Sequence, residues 1–158
     1  SRYAEALTLV KLLALSGMRL TEATSIKWGE IDFEKGIFVV TGGTAGTKNR
    51  LVRHVPLFPG LKNLLNELKQ DQRFERDQKI ISIKSAKNAI KTSCRVAEIP
   101  TFSHHCLRHY FVSNAIEKGI DFKTIANWIG HKDGGLLVAK TYGHLRDTHS
   151  MEMAKLMD

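Results

Sequence analysis

Residues 105–142 read HCLRHYFVSNAIEKGIDFKTIANWIGHKDGGLLVAKTY, and the punctuation in this stretch separates two helices and a short further element. Gly119 stops a helix that runs from about His105 to Lys118, Asp121 caps a second that reaches Ile129, and Gly130 stops that one before the chain continues to Tyr142. His105 and Arg108 lie three residues apart on the first helix, so they share a face. Working toward the N-terminus, Ser85 to Ala97 reads as a helix that must end before Pro100. Pro59-Gly60 opens another with Leu61, Leu64, Leu65 and Leu68 on its apolar side, and the charged stretch Lys69 to Lys79 after it reads as a solvated turn. Ile37-Phe38-Val39-Val40 and Leu51-Val52-Arg53-His54-Val55 look like strands, with the Gly-rich polar segment Gly42 to Asn49 as the loop between them. Thr21 can cap a short helix through about Trp28. The apolar residues Ala6, Leu7, Leu9, Val10, Leu13 and Ala14 recur at helical spacing from Tyr3 to Leu15, with Gly17 as the stop. Beyond Tyr142, Thr148 to Met157 is amphipathic, with Met153, Leu156 and Met157 on one side. The expected fold is mainly α with a small antiparallel β-sheet, an α+β arrangement.

The chain has 158 residues, enough for one core, so residues 1–158 are expected to form a single domain. Its 24 Lys and Arg against 16 Asp and Glu give a net charge of +8, which suits a polyanionic partner without proving one. No apolar run approaches the roughly 18 residues of a membrane span, and Ser1 to Glu5 do not resemble a signal peptide, so the expectation is a cytoplasmic protein with no membrane role. Cys94 and Cys106 are too few for a disulfide framework and are expected to be reduced structural thiols.

Four separated segments carry chemistry together: Ser16-Gly17-Met18-Arg19-Leu20-Thr21-Glu22-Ala23, Lys48 in the loop between the strands, His105-Cys106-Leu107-Arg108-His109, and Gly130-His131 followed by Tyr142. In this order they resemble the tyrosine recombinase (phage integrase) family, over nearly the whole chain. The Gly-x-Arg-x-x-Glu-Ala, His-x-x-Arg and Gly-His boxes are each weak alone and specific as an ordered set.

The resemblance implies the tyrosine recombinase catalytic-domain fold and a site-specific recombinase that cleaves and rejoins DNA, integrating or excising a mobile element. A tyrosine hydroxyl attacks a phosphodiester, forming a 3′-phosphotyrosyl bond and releasing a 5′-hydroxyl. No cofactor, metal or nucleotide is implied, because one phosphodiester replaces another of similar energy. The resemblance assigns Arg19 and Arg108 to clamp the phosphate, and a guanidinium fork suits two phosphate oxygens. It assigns His131 to a non-bridging oxygen, His105 to the same phosphate or to the nucleophile's proton, and Lys48 to protonating the leaving 5′-oxygen. Tyr142 is the implied nucleophile; Tyr3 lies far from the boxes, and Tyr110 inside the His105 helix reads as core. Glu22 would orient Arg19 or Lys48, or simply favour a helix N-terminus. Arg50 and Arg53 are candidates for DNA-backbone contacts beside Lys48. His54, His104, His109, His144 and His149 receive no catalytic role. His131 and Tyr142 are separated by 11 positions, a long spacing that Gly134-Gly135 accounts for. The implied partners are double-stranded DNA attachment sites and, for a full-length protein, three further copies in a tetramer. An N-terminal DNA-binding domain of the full-length protein is expected outside this chain, and the terminal amphipathic segment could dock on a neighbouring subunit or on its own core.

Two other readings compete. Asp121 to Ile129 could act as part of a helix-turn-helix in a DNA-binding protein that does not cleave. His104, His105 and His109 could bind a metal, although no acidic ligand lies in their segment. Gly42 to Lys48 superficially resembles a phosphate-binding P-loop, but Thr47 stands where Gly is required and a strand follows instead of a helix.

Overall fold

The computed structural model describes residues 2–42, 52–70 and 74–157, leaving out the side chains of 146–149 and 152. In chain order the elements are α1 (Arg2–Ser16), α2 (Leu20–Ala23), β1 (Ile31–Asp32), β2 (Ile37–Val40), β3 (Arg53–Pro56), α3 (Pro59–Gln70), α4 (Lys87–Val96), α5 (His104–Glu117), α6 (Phe122–Ile129), α7 (Leu136–Tyr142) and α8 (Asp147–Ala154), with 3-10 turns at Trp28–Glu30 and Gly143–Arg146. Helices therefore surround one small antiparallel sheet of order β1-β2-β3. In β2, Phe38 and Val40 face inward, and Phe38 pairs with Ile31 on one side and Val55 on the other. Period-two burial of this kind is what an apolar strand with one covered face requires.

Two apolar clusters make up the interior. The first joins Leu9, Leu12 and Leu13 of α1 to Phe38 and Val55 of the sheet, Leu61 and Leu65 of α3, and Ile90 and Cys94 of α4. The second joins Phe111, Val112 and Ile116 of α5 to Ile125 and Ile129 of α6 and Val138 of α7. Phe58 and Trp128 pack against both, with ring centroids 4.9 Å apart. Helix α5 also crosses the seam, contributing Leu107 to the first cluster and Phe111 to the second. Arg108, between those two residues, is thereby set at the seam itself.

Gly17 shows how tightly the seam is closed. Its φ of +65° lies in the left-handed region, and a Cβ placed there would sit 2.4 Å from the Phe111 ring. Gly17→Ala is expected to lose about 1–2 kcal/mol from the backbone conformation and a further ~1–3 kcal/mol from overpacking, read as a lower denaturation midpoint with an unchanged m-value.

Several elements differ from the sequence reading. Helix α2 begins at Leu20 instead of after Thr21, because the Glu22 carboxylate reaches back to accept the Arg19 backbone N–H at 2.9 Å. Strand β1 carries only two residues, too short for an alternating pattern to show. The segment after α3 is not simply a solvated turn: Phe74 stacks on Trp28 at 4.3 Å, and the Arg76 and Gln78 carbonyls accept the Gly29 and Trp28 N–H groups. Tyr110 is exposed, not core, because Phe111 and Leu107 take the buried faces of α5. Cys94 is buried as expected, whereas Cys106 is exposed. In the C-terminal segment Met153, Leu156 and Met157 are exposed, so they do not pack on their own core. Among the described residues, no helix is long and apolar enough to cross a membrane.

Candidate active site

The site grows from Arg108, which is 5% exposed. A buried guanidinium is tolerable only if its N–H groups find acceptors. Here Nη1 donates to the Gly17 carbonyl at 2.7 Å and Nη2 to the Ile129 carbonyl at 2.8 Å. Both carbonyls stand at helix ends, where the backbone leaves acceptors without intrahelical partners. The left-handed turn at Gly17 and the end of α6 therefore serve one side chain, and they fix it at the seam between the two clusters. Nη2 also lies 3.4 Å from His131 Nε2, the imidazole carried just past Gly130.

Beside Arg108, Glu22 is 2% exposed and holds two arginines. Arg53 meets it with two bonds of 2.9 and 2.8 Å, and Arg19 Nη1 approaches at 3.3 Å. Burial pushes the Glu22 carboxyl up, but the Arg53 hydrogen bonds and charge, with help from Arg19, hold it below its ordinary value of 4.5. Arg53 is further tied by Nε to the Trp128 carbonyl at 3.0 Å. Three guanidinium groups thus share one carboxylate, leaving a surplus of positive charge in a partly buried place. The strain shows at Arg108, whose guanidinium is lowered to about 10 by burial and by the Arg19 and Arg53 charges, against the opposing pull of Glu22. It stays protonated at neutral pH. An entering anion would relieve the mutual repulsion, and a phosphodiester has the required charge and oxygen geometry.

Tyr142 closes the other side. It ends α7 half-buried against the second cluster, and its hydroxyl hydrogen-bonds His109 Nδ1. His109 in turn packs edge-to-face on His105, with centroids 4.5 Å apart. Helix α7 is held at its start by Asp133, whose carboxylate accepts the Gly135 and Leu137 N–H groups at 3.0 Å each. Gly135 lies at φ +96°, where an added Cβ would come within 2.7 Å of the Phe122 backbone. Of the two glycines that lengthen the spacing between His131 and Tyr142, Gly135 is therefore the one that lets α7 start directly against α6.

The structure brings Arg19, Glu22, Arg108 and His131 into one cluster, with Tyr142 and His105 meeting around His109 next to it. Lys48 and Arg50 lie outside the described residues. Arg53, the candidate for DNA-backbone contact, has its fork committed to Glu22 and its Nε to the Trp128 carbonyl inside the protein. His109 was passed over because a histidine following Arg108 carries no signal of its own; its spacing of four from His105 was the available clue. His104, by contrast, accepts the Ala86 N–H at 3.0 Å and serves structure. Among the described residues, no group of three or more His, Cys, Asp or Glu side chains is placed to hold a metal ion.

A model of the phage integrase family matches residues 1–149, and the chain belongs to that family. It is 29% identical to the tyrosine recombinase XerA of Pyrococcus furiosus over 95% of this chain and 54% of that protein. Similarity extends to the TnP I resolvase of Bacillus thuringiensis, 29% identical over 79% of this chain and 45% of that protein. The chain spans about half the length of the curated relatives it matches. Among solved structures, the Tn1549 transposon integrase in complex with transposon right end DNA aligns with a TM-score of 0.75 at 16% identity, covering 99% of this chain and 60% of that one. The crystal structure of XerA recombinase aligns at 0.65 and 22% identity, covering 97% and 61%. The fold is that of the tyrosine recombinases.

Proposed function

We propose that this chain is the catalytic domain of a site-specific DNA recombinase, which cleaves and rejoins DNA at double-stranded attachment sites through a 3′-phosphotyrosyl intermediate on Tyr142. The observation that carries this reading is the surplus of guanidinium charge around Glu22, with the Tyr142 hydroxyl on His109, the residue that follows Arg108. Arg19 and Arg108 would bind the non-bridging oxygens of one phosphodiester, and His131 would add a hydrogen bond. The phenol oxygen of Tyr142 would attack phosphorus as the bond to the 5′-oxygen breaks. Lys48 is assigned the proton for that leaving oxygen. Arg53 and Glu22 would act through Arg19 and Arg108, holding their positions.

Family membership and relatives named tyrosine recombinases support the reaction class. A role in moving a mobile element rests on the Thr141-Tyr142-Gly143-His144-Leu145 segment, and a tetramer on DNA and a bacterial cytosolic location follow from the same family reading. The test is a DNA duplex nicked near the cleavage point, which releases a short fragment after cutting and traps the enzyme. A denaturant-resistant protein–DNA adduct is expected with the wild-type chain and none with Tyr142→Phe. An adduct of undiminished yield in that variant would overturn the assignment.

A further inference from the structure

We propose that His109 is the catalytic base that takes the phenolic proton of Tyr142, through Nδ1, as the phenol oxygen attacks phosphorus. The inference rests on the reading of Tyr142 as the nucleophile and adds a residue that the ordered boxes leave without a role. Among the described residues, the hydroxyl of Tyr142 meets His109. The rings lie 5.6 Å apart by centroid at 50°, an arrangement set by hydrogen bonding at the ring edges and not by stacking. His105, the more obvious candidate, packs its ring on His109, 4.5 Å away and nearly perpendicular. It supports the acceptor without displacing it.

A general base must hold an available lone pair at working pH and lie within hydrogen-bond reach of the proton it removes. His109 satisfies the geometric condition. Its surroundings favour the neutral ring: partial burial, His105 and Arg108 all lower its proton affinity below the ordinary value of 6.5. From α5 itself His105 and Arg108 act on it, and from α7 the Tyr142 phenol reaches it; Lys140 of α7 and His144 of the following turn are exposed. In the step, the O–H bond of Tyr142 breaks as the O–P bond forms, and the proton goes to His109 Nδ1. The P–O5′ bond breaks and its oxygen receives a separate proton from the leaving-group acid. In rejoining, a 5′-hydroxyl gives its proton to the deprotonated leaving-group acid as its oxygen attacks phosphorus, the O–P bond to the tyrosyl oxygen breaks, and His109 returns its proton to that oxygen.

The experiment measures single-turnover adduct formation on the nicked duplex from pH 5 to 9, for wild type, Tyr142→Phe, His109→Ala and His109→Asn. A second substrate carries sulfur in place of the scissile 5′-oxygen, a leaving group that needs no acid. Wild type is expected to lose activity as pH falls through the His109 pKa, below about 6.5. His109→Ala is expected to slow adduct formation by about 10²–10⁴-fold, to lack that acid limb, and to stay slow on the sulfur substrate. His109→Asn keeps an acceptor at the δ position and cannot take a proton, so it should show the same loss with the fold intact, even if the alanine variant does not fold. Tyr142-dependent adduct at wild-type rate in both His109 variants would overturn the role of His109 and leave Tyr142 standing. Restoration of either variant by the sulfur substrate would also overturn it, since that would place His109 at the leaving group. Adduct missing from the wild type, or persisting in Tyr142→Phe, would remove the nucleophile and this inference with it.

Discussion

Arg108→Ala is expected to lower adduct formation on the nicked duplex by at least about 10²–10³-fold, the cost of removing one preorganised charge-stabilising donor from a protected site. The effect should be larger than for other basic residues because Arg108 is fixed before DNA arrives: two helix-end carbonyls at 2.7 and 2.8 Å set its plane. Arg108→Lys separates charge from shape. It keeps the positive charge, but one ammonium cannot span the Gly17 and Ile129 carbonyls and still present a flat fork to phosphate. Lysine is therefore expected to recover little of the lost rate, and the carbonyl left unpaired costs stability, about 1–3 kcal/mol. Affinity for non-specific duplex should fall modestly in both variants, since one phosphate contact among several is lost. Equal losses of binding and cleavage would contradict a role centred on the reacting phosphate.

The largest effect on stability is expected at Glu22. Removing its charge strands Arg53, whose side chain is 12% exposed, and Arg108 beside it, with no carboxylate to balance them. Breaking a buried pair in this way costs about 3–5 kcal/mol. For a domain of this size that corresponds to roughly 2–4 °C per kcal/mol, so Glu22→Gln should melt on the order of 10 °C below wild type. Replacing Glu22 and Arg53 together by leucine should cost less than the sum of the two single losses, because the Arg53 charge leaves with its carboxylate and only Arg108 stays uncompensated beside it. The pH dependence has a definite sign. The folded carboxyl sits below its ordinary 4.5, so its contribution is complete above that value and fades as pH falls through the lower folded one. Wild type should lose this component on acidification, and Glu22→Gln should not show it. Additive losses in the double variant would mean that Glu22 and Arg53 do not form one unit.

Much of this architecture was legible from local chemistry. Apolar spacing located α1 and α3, Asp121 marked the start of α6 with a cap that accepts the Thr124 N–H at 2.8 Å, and Gly130 marked its end. The order of the boxes singled out Arg19, Arg108 and His131, which the fold brings into one cluster, and Tyr142, which it places against His109. What stayed hidden depends on partners distant in sequence. Arg53 looked like one more strand-edge cation, and only the folded chain brings it to Glu22, 31 positions away, and to the Trp128 carbonyl, 75 away. His109 needed α7 folded back on α5 before its neighbour Tyr142 could be known. The segment around Phe74 looked solvated because its charges outnumber its apolar residues, yet the stack on Trp28 and the backbone bonds to the Arg76 and Gln78 carbonyls hold it down.

The most direct measurement is to digest the trapped adduct with protease and nuclease and locate the residual nucleotide by tandem mass spectrometry. The expected product is the peptide containing Tyr142, carrying a nucleotide joined through its 3′-phosphate to the phenolic oxygen. A nucleotide on Tyr3, Tyr110 or any other side chain, or a 5′-phosphate linkage on Tyr142, would contradict the account.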